Sequence, residues 1–147
     1  MPPPMPAGNI EQRIRASFDR QALMRTLGAS LDSVADGEVR IRLPASEHIA
    51  QQHGFAHAGA IAAIADSACG YACLTRMPED AAVLSVEFKI NLLAPAAGRA
   101  FIAVGKVVRA GRTISVATAE VLAENDDGAR KPIAVMQATM MRVDAPG

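Results

Sequence analysis

The stretch QQHGFAHAGAIAAIADSACGYACLTRMP, residues 51–78, decides how this chain folds. Within it, residues 54–75 are mostly apolar or small over a length that could cross a membrane, but Asp66 lies near the middle. A charge at that depth costs at least about 2.5 kcal/mol on insertion scales, and alanine offsets little of that cost. The stretch therefore predicts a buried helix in a soluble protein rather than a membrane span.

Length, charge and composition narrow the classes of function. The chain has 147 residues, of which 50% are hydrophobic and 20% charged, and this suits one domain with a sizeable core. Its formal net charge is zero, it has no basic run, and only 3% of its residues are aromatic. Nucleic acid is therefore not an expected partner.

The N-terminal MPPPMPAG, residues 1–8, has neither the basic nor the apolar region of a secretory signal. We expect it to be a disordered lead-in, followed by a single domain over residues 9–147 in the cytoplasm. Cys69 and Cys73 lack the paired spacing of a zinc site or of a disulfide framework. They are expected to be two buried, reduced thiols.

Hydrophobic periodicity places the other elements around the central helix. Asn9 can cap a first helix, whose apolar residues recur at helical spacing until Gly28. Residues 30–44 alternate around a turn and predict a β-hairpin. Three β-rich runs follow, at residues 83–95, 99–124 and 132–143. Because a helix that is apolar all round must be enclosed, we expect an α+β fold with an N-terminal helix and an antiparallel sheet of about five or six strands around the long helix.

Asp66 has little solvated surface available on this helix. Its neighbours along the helix are Ile64, Ala65, Ala68 and Cys69. A buried carboxylate without partners costs several kcal/mol, so Asp66 must have partners, be partly solvated, or line a cavity. A structural hydrogen bond is one reading, but the apolar flanks favour a functional one.

Three segments together carry a family resemblance. They are QQHGFAHAG (residues 51–59), IADSA (residues 64–68), in which Asp66 stands nine positions after His57, and SVEFKINLLAPA (residues 85–96). At these spacings, about residues 28–143 resemble the hotdog-fold acyl-CoA thioesterases of the phenylacetate-pathway (PaaI-like) type. The resemblance implies a curved sheet around the helix, homodimers that often pair into tetramers, no metal or cofactor, and hydrolysis by water of a coenzyme A thioester as substrate.

The chain departs from the family pattern at two positions. The usual Asn is Gln51, one methylene longer, which shifts the amide that it presents. The first Gly after the His is Ala58, which keeps the backbone N–H that the family uses.

The resemblance implies that Asp66 activates a water molecule or attacks the thioester to form a short-lived anhydride. Unsatisfied N–H groups at the helix start make Ala58, together with Gly59, the expected oxyanion hole. Ala58 and Asp66 are eight residues apart, which is about 12 Å along a helix. One thioester carbon cannot be close to both, so catalysis predicts a dimer in which the two helices run antiparallel and share each site.

Supporting roles fall to residues that also have ordinary structural readings. Ser85 could hydrogen-bond the Asp66 carboxylate, or only the strand backbone. Gln51 could orient the water or the thioester oxygen, and His57 is expected to brace the helix start. Arg109 and Arg112 could meet coenzyme A phosphates, although exposed arginines at a turn need no such role. The expected substrate contacts are His53, Gly54, Phe55, His57, Arg109 and Arg112. Phe88 could line the acyl pocket, but the core is the expected place for it.

Two other functions remain open at this point. A hotdog hydratase or dehydratase would use a His together with a carboxylate, but the His here falls at the helix start. A non-catalytic acyl-CoA or acyl-carrier binding module would bind its ligand without turnover, and an Asp66→Asn variant separates it from an enzyme.

Overall fold

The computed structural model describes residues 7–146, in which a six-stranded antiparallel sheet curves around one long helix. The helices are α1 (Ala7–Arg20), α2 (Ala22–Leu27) and α3 (Ala58–Leu74), with a short 3₁₀ turn at Glu47–Ile49. The strands are β1 (Ser30–Ala35), β2 (Glu38–Pro44), β3 (Ala81–Leu92), β4 (Ala100–Ala110), β5 (Ile114–Glu124) and β6 (Arg130–Asp144). The expected α+β architecture and strand number are confirmed. Across residues 7–146, the helices lack the length or the hydropathy that a membrane span requires.

The long helix α3 is the centre of the core. It packs against β2, β3, β4, β5 and β6, and side chains such as Ile61 and Ile64 are completely buried. Burying an aliphatic side chain of this size contributes roughly 1.5–3 kcal/mol. The helix is apolar all round because the sheet covers it on most sides.

Small residues let this helix approach the sheet backbone. A Cβ atom on Gly105 of β4 would lie 2.3 Å from the carbonyl oxygen of Ala68 in α3. Real Cβ atoms essentially never come so close to an oxygen. Glycine at position 105 therefore sets the distance between the helix and the sheet at the middle of the core.

The N-terminal helix differs from the expectation in two ways. It begins at Ala7 rather than after Asn9, and it is interrupted at Gln21, which has an extended backbone (φ −81°, ψ 100°). The helical periodicity continues through Leu23 and Leu27, so the pattern of apolar residues does not predict the interruption. The expected end at Gly28 is confirmed by its left-handed backbone (φ 85°), which glycine adopts at little cost. Of the lead-in expected over residues 1–8, residues 1–6 lie outside the described part of the chain.

The order of the strands in the sheet is β1-β2-β4-β5-β6-β3, so β3 is an edge strand. A register shift between Ser85 and Glu87 places a β-bulge at the middle of β3. Bulges occur next to active sites, where they turn a side chain away from the regular alternation. Phe88, expected in the core, is 42% exposed because it lies on this edge.

Candidate active site

Asp66 is half-buried and opens on a cavity that we call the Asp66 cleft. Its walls are α1, α3, β3, β6 and the residues Ala145 and Pro146, and its volume is about 730 Å³. The Ser85 hydroxyl donates a hydrogen bond of 2.6 Å to Asp66 Oδ1. Asp66 Oδ2 has no protein donor among residues 7–146, which leaves it available to a water molecule.

The start of α3 forms a second cavity, the helix-start groove, of about 590 Å³. His57 is the N-cap of the helix, and its Nδ1 accepts a 2.7 Å hydrogen bond from the Gly59 N–H. The expected bracing role of His57 is present, and it occupies one of the two N–H groups considered for the oxyanion hole. Within the described residues, the Ala58 N–H is left without an acceptor, as the first N–H of a helix commonly is.

The same contact bears on the hydratase reading. A histidine that accepts a hydrogen bond from the helix start is held away from Asp66, which lies nine residues further along the chain. His57 and Asp66 therefore do not form the His–carboxylate pair that a hydratase would need within one chain.

The loop before α3 separates the expected substrate contacts into two groups. Gln51, Phe55 and His57 line the helix-start groove. His53 and Gly54 lie in the turn between Gln51 and Phe55 and do not line the groove. The Gln51 side-chain oxygen accepts a hydrogen bond from the His53 N–H, so its amide N–H₂ is the group that remains for a substrate or a water molecule.

Arg109 and Arg112 are exposed at the turn between β4 and β5. This turn lies at the end of the sheet where the hairpin residue Gly37 binds the Thr75 hydroxyl, just after α3 ends. Within one chain the two arginines are therefore at the opposite end of α3 from the groove. They could approach a ligand in that groove only on a second subunit.

The two cysteines of α3 are buried and free, as expected. Burial raises the pKa of the Cys69 thiol to about 12, with smaller contributions from Cys73 and Asp66. Burial likewise raises the pKa of Cys73 to about 11. A thiol that stays protonated at neutral pH is a poor nucleophile, so neither cysteine is a candidate for covalent catalysis.

A group of polar side chains in the Asp66 cleft escaped the sequence reasoning. Gln21 donates a 3.0 Å hydrogen bond to the Tyr71 hydroxyl and accepts one of 3.1 Å from Ser67, the residue after Asp66. Ser17 donates to the same Tyr71 oxygen at 3.3 Å. The spacing of four between Arg13, Ser17 and Gln21 predicts a polar stripe on one helix face, but such a stripe is equally typical of a solvated face and does not by itself indicate a cavity.

Comparison with known proteins gives consistent matches. The family model described as the thioesterase superfamily matches residues 53–129. A predicted esterase of Halobacterium salinarum is 32% identical over 127 residues, which is 83% of each chain.

Solved structures show the same similarity. A thioesterase family protein from Silicibacter pomeroyi is 47% identical, with 92% of this chain and 99% of that chain covered and a TM-score of 0.89. The PaaI protein of the phenylacetic acid degradation operon of Escherichia coli has the same fold, with 22% identity, 95% and 96% coverage and a TM-score of 0.82.

Proposed function

Because the chain belongs to the thioesterase superfamily and is a thioester hydrolase, we propose that it hydrolyses an acyl-CoA to the free acid and coenzyme A. The observation that carries the proposal is the Asp66 carboxylate. It accepts a hydrogen bond from Ser85, and it opens on a cleft large enough for an acyl group. A partly exposed carboxylate in a cavity is the group that acyl transfer to water needs.

In the proposed mechanism Ser85 fixes one oxygen of Asp66, and the other oxygen takes a proton from the attacking water. Direct attack by Asp66, with a transient anhydride that water then opens, uses the same geometry. The Ala58 N–H stabilises the charge that develops on the thioester oxygen, and the positive end of the α3 dipole adds to this effect. The chain itself supplies both base and donor, so we propose hydrolysis without a metal or cofactor.

We propose that the functional unit is a homodimer in which each site is composite. Ala58 and Asp66 are about 12 Å apart along α3, so a second antiparallel helix must bring its Asp66 to this helix start. The edge strand β3 offers the surface for this contact. Its exposed apolar side chains include Leu84 (57% exposed), Val86 (54%) and Leu92 (54%). An unpaired apolar edge of this length is a template for pairing with a second chain.

A further pairing of dimers into a tetramer is part of the same proposal. Ile114, Met141 and Leu84 are register partners on β5, β6 and β3, and all three are exposed. Such an apolar row across three strands favours burial against another subunit. Two free cysteines suit the reducing conditions of the cytoplasm, where we place the enzyme.

The test is thiol release from a panel of acyl-CoAs by wild type, Asp66→Asn and a control variant, Asp19→Asn. Asp19 is exposed on α1 and outside both cavities, so its variant makes the same carboxylate-to-amide change away from the site. We expect Asp66→Asn to lose at least about 10²-fold in kcat, while Asp19→Asn keeps wild-type activity. Activity of Asp66→Asn within a few-fold of wild type would reject Asp66 as the base. A wild type that binds acyl-CoAs without releasing thiol would reject them as substrates.

A further inference from the structure

Gly70 of α3 is a glycine that packing does not require. It lies one helical turn after Asp66, is buried, and lines the Asp66 cleft. A Cβ atom placed on it would lie 3.8 Å from Met140 Sδ and 3.8 Å from Val83 Cγ1, which is ordinary van der Waals contact. Glycine inside a helix is destabilising relative to alanine, and packing within this chain does not account for that cost at position 70.

Gly105 shows what a required glycine looks like in the same core. There the added Cβ would meet the Ala68 backbone at 2.3 Å, and no side chain could move aside to relieve the clash. Gly70 has no such neighbour. A methyl group at position 70 would instead occupy space in the cleft beside Asp66.

Arg13 bounds the far end of the Asp66 cleft. The Arg13 guanidinium, from α1, donates hydrogen bonds to the carbonyl oxygens of Met77 (2.9 Å), Pro78 (2.6 Å) and Ala81 (3.1 Å). It thereby joins α1 to the loop after α3 and to the start of β3. Leu74, the last α3 residue lining the cleft, lies eight residues beyond Asp66, or about 12 Å along the helix.

A cleft bounded in this way has a limited length, and it suits the acyl group of the substrate better than it suits coenzyme A. Coenzyme A is long and must keep its nucleotide outside, so it needs an open path. The acyl group has no such need. With the thioester carbon beside Asp66, the acyl group would extend over Gly70 toward Leu74, between the apolar Val83 and Met140 and the polar wall formed by α1.

We propose that the Asp66 cleft is the acyl pocket, that it takes acyl groups of short to medium length, and that Gly70 is the residue that leaves room for them. This inference rests on the proposed function, because it places the thioester beside Asp66. It adds which of the two cavities receives the acyl group and which side chain limits its size.

The test measures kcat/KM of wild type, Gly70→Ala and Gly70→Val with acetyl-, butyryl-, hexanoyl-, octanoyl- and palmitoyl-CoA. Gly8→Ala is the control, since a Cβ at that exposed position meets nothing within 4 Å. For wild type we expect a drop from octanoyl- to palmitoyl-CoA. For Gly70→Ala we expect hexanoyl- and octanoyl-CoA to lose at least about tenfold while acetyl-CoA stays within about twofold, and we expect Tm to rise by roughly 2–4 °C as a helical glycine is replaced. Gly70→Val should move the limit to still shorter acyl groups.

An equal loss of kcat/KM on every acyl-CoA in Gly70→Ala, or no change on any, would overturn the assignment of Gly70. A wild type that hydrolyses palmitoyl-CoA as well as hexanoyl-CoA would overturn the proposed limit on acyl length. None of these outcomes touches the proposed function, which fails instead when wild type releases no thiol or when Asp66→Asn keeps its activity. The rise in Tm separates a narrowed pocket from a damaged fold.

Discussion

Asp66 and Glu124 are both carboxylates with limited access to solvent, and their surroundings give them different roles. Asp66 has one protein hydrogen bond, from Ser85, and faces a cleft. Glu124 is only 4% exposed and accepts hydrogen bonds from three guanidinium groups, those of Arg42, Arg99 and Arg130. The first carboxylate is free to react, whereas the second is fully engaged in holding β2, β5 and β6 together at one end of the sheet.

The Glu124 cluster predicts a specific acid dependence of stability. Hydrogen bonds from Arg42 and Arg99, with a smaller one from Arg130, lower the pKa of Glu124 from 4.5 to about 2. Above about pH 4.5 the carboxylate is charged in both the folded and the unfolded chain, and its contribution to stability is complete. Between about pH 4.5 and pH 2 only the unfolded chain takes up the proton, so that contribution is lost as the pH falls.

Glu124→Gln is therefore expected to have a lower Tm than wild type at pH 7 and a smaller further loss of Tm between pH 4.5 and pH 2. Thermal melts across this range measure both effects. Glu120→Gln, an exposed change on the same strand, is the control and should follow wild type. Parallel Tm curves for wild type and Glu124→Gln would contradict the role of Glu124.

At the scale of the elements, the sequence predicts those helices and strands that short-range residue patterns determine. The apolar composition of residues 54–75 predicts α3, and alternation around Asp36-Gly37 predicts the first hairpin. The break at Gln21 is not predictable in this way, because it depends on hydrogen bonds to Ser67 and Tyr71 from a distant helix. The exposure of Phe88 likewise depends on the strand order, which alternation alone does not determine.

The candidate site likewise has parts that the sequence predicts and parts that it does not. The Asp66–Ser85 contact could be predicted because a family motif contains both residues, and His57 could be predicted as a cap from its place before the helix. The Ser17–Gln21 wall of the cleft could not, because the motif does not include α1 and its polar stripe resembles an ordinary solvated helix face. The bulge that follows Ser85 also escaped, since one extra residue in a strand leaves the apolar pattern almost unchanged.

The close contact between α3 and β4 predicts that Gly105→Ala will be severely destabilising. The added methyl would overlap the Ala68 backbone, and only a shift of the helix or the strand could relieve the overlap. We expect a loss of about 1–3 kcal/mol or more in the free energy of unfolding, measured by urea denaturation. Gly8→Ala is again the matched control, and a Gly105→Ala protein as stable as that control would show that α3 is free to move away from the sheet.

At the scale of the whole molecule, the separation between Ala58 and Asp66 makes the subunits interdependent, and mixed dimers can measure this. Ala58→Pro removes the proposed oxyanion donor and should preserve the helix, because proline is well suited to the first helical position. The backbone of His57 (φ −63°, ψ 138°) already has the extended conformation that a residue before proline prefers. Each homodimer, Ala58→Pro or Asp66→Asn, should be at least about 10²-fold less active than wild type.

Mixing the two inactive variants should then restore activity. In a heterodimer, one site combines the Asp66 of the Ala58→Pro subunit with the intact Ala58 N–H of the Asp66→Asn subunit, while the other site lacks both groups. Random exchange makes half of the dimers heterodimers, so an equimolar mixture should recover about one quarter of wild-type activity. Subunit exchange is verified by co-purification of differently tagged variants. A mixture that exchanges completely and stays as inactive as its components would show that both groups act within one chain. The Ala58 N–H and Asp66, about 12 Å apart along α3, would then act on different atoms of the substrate.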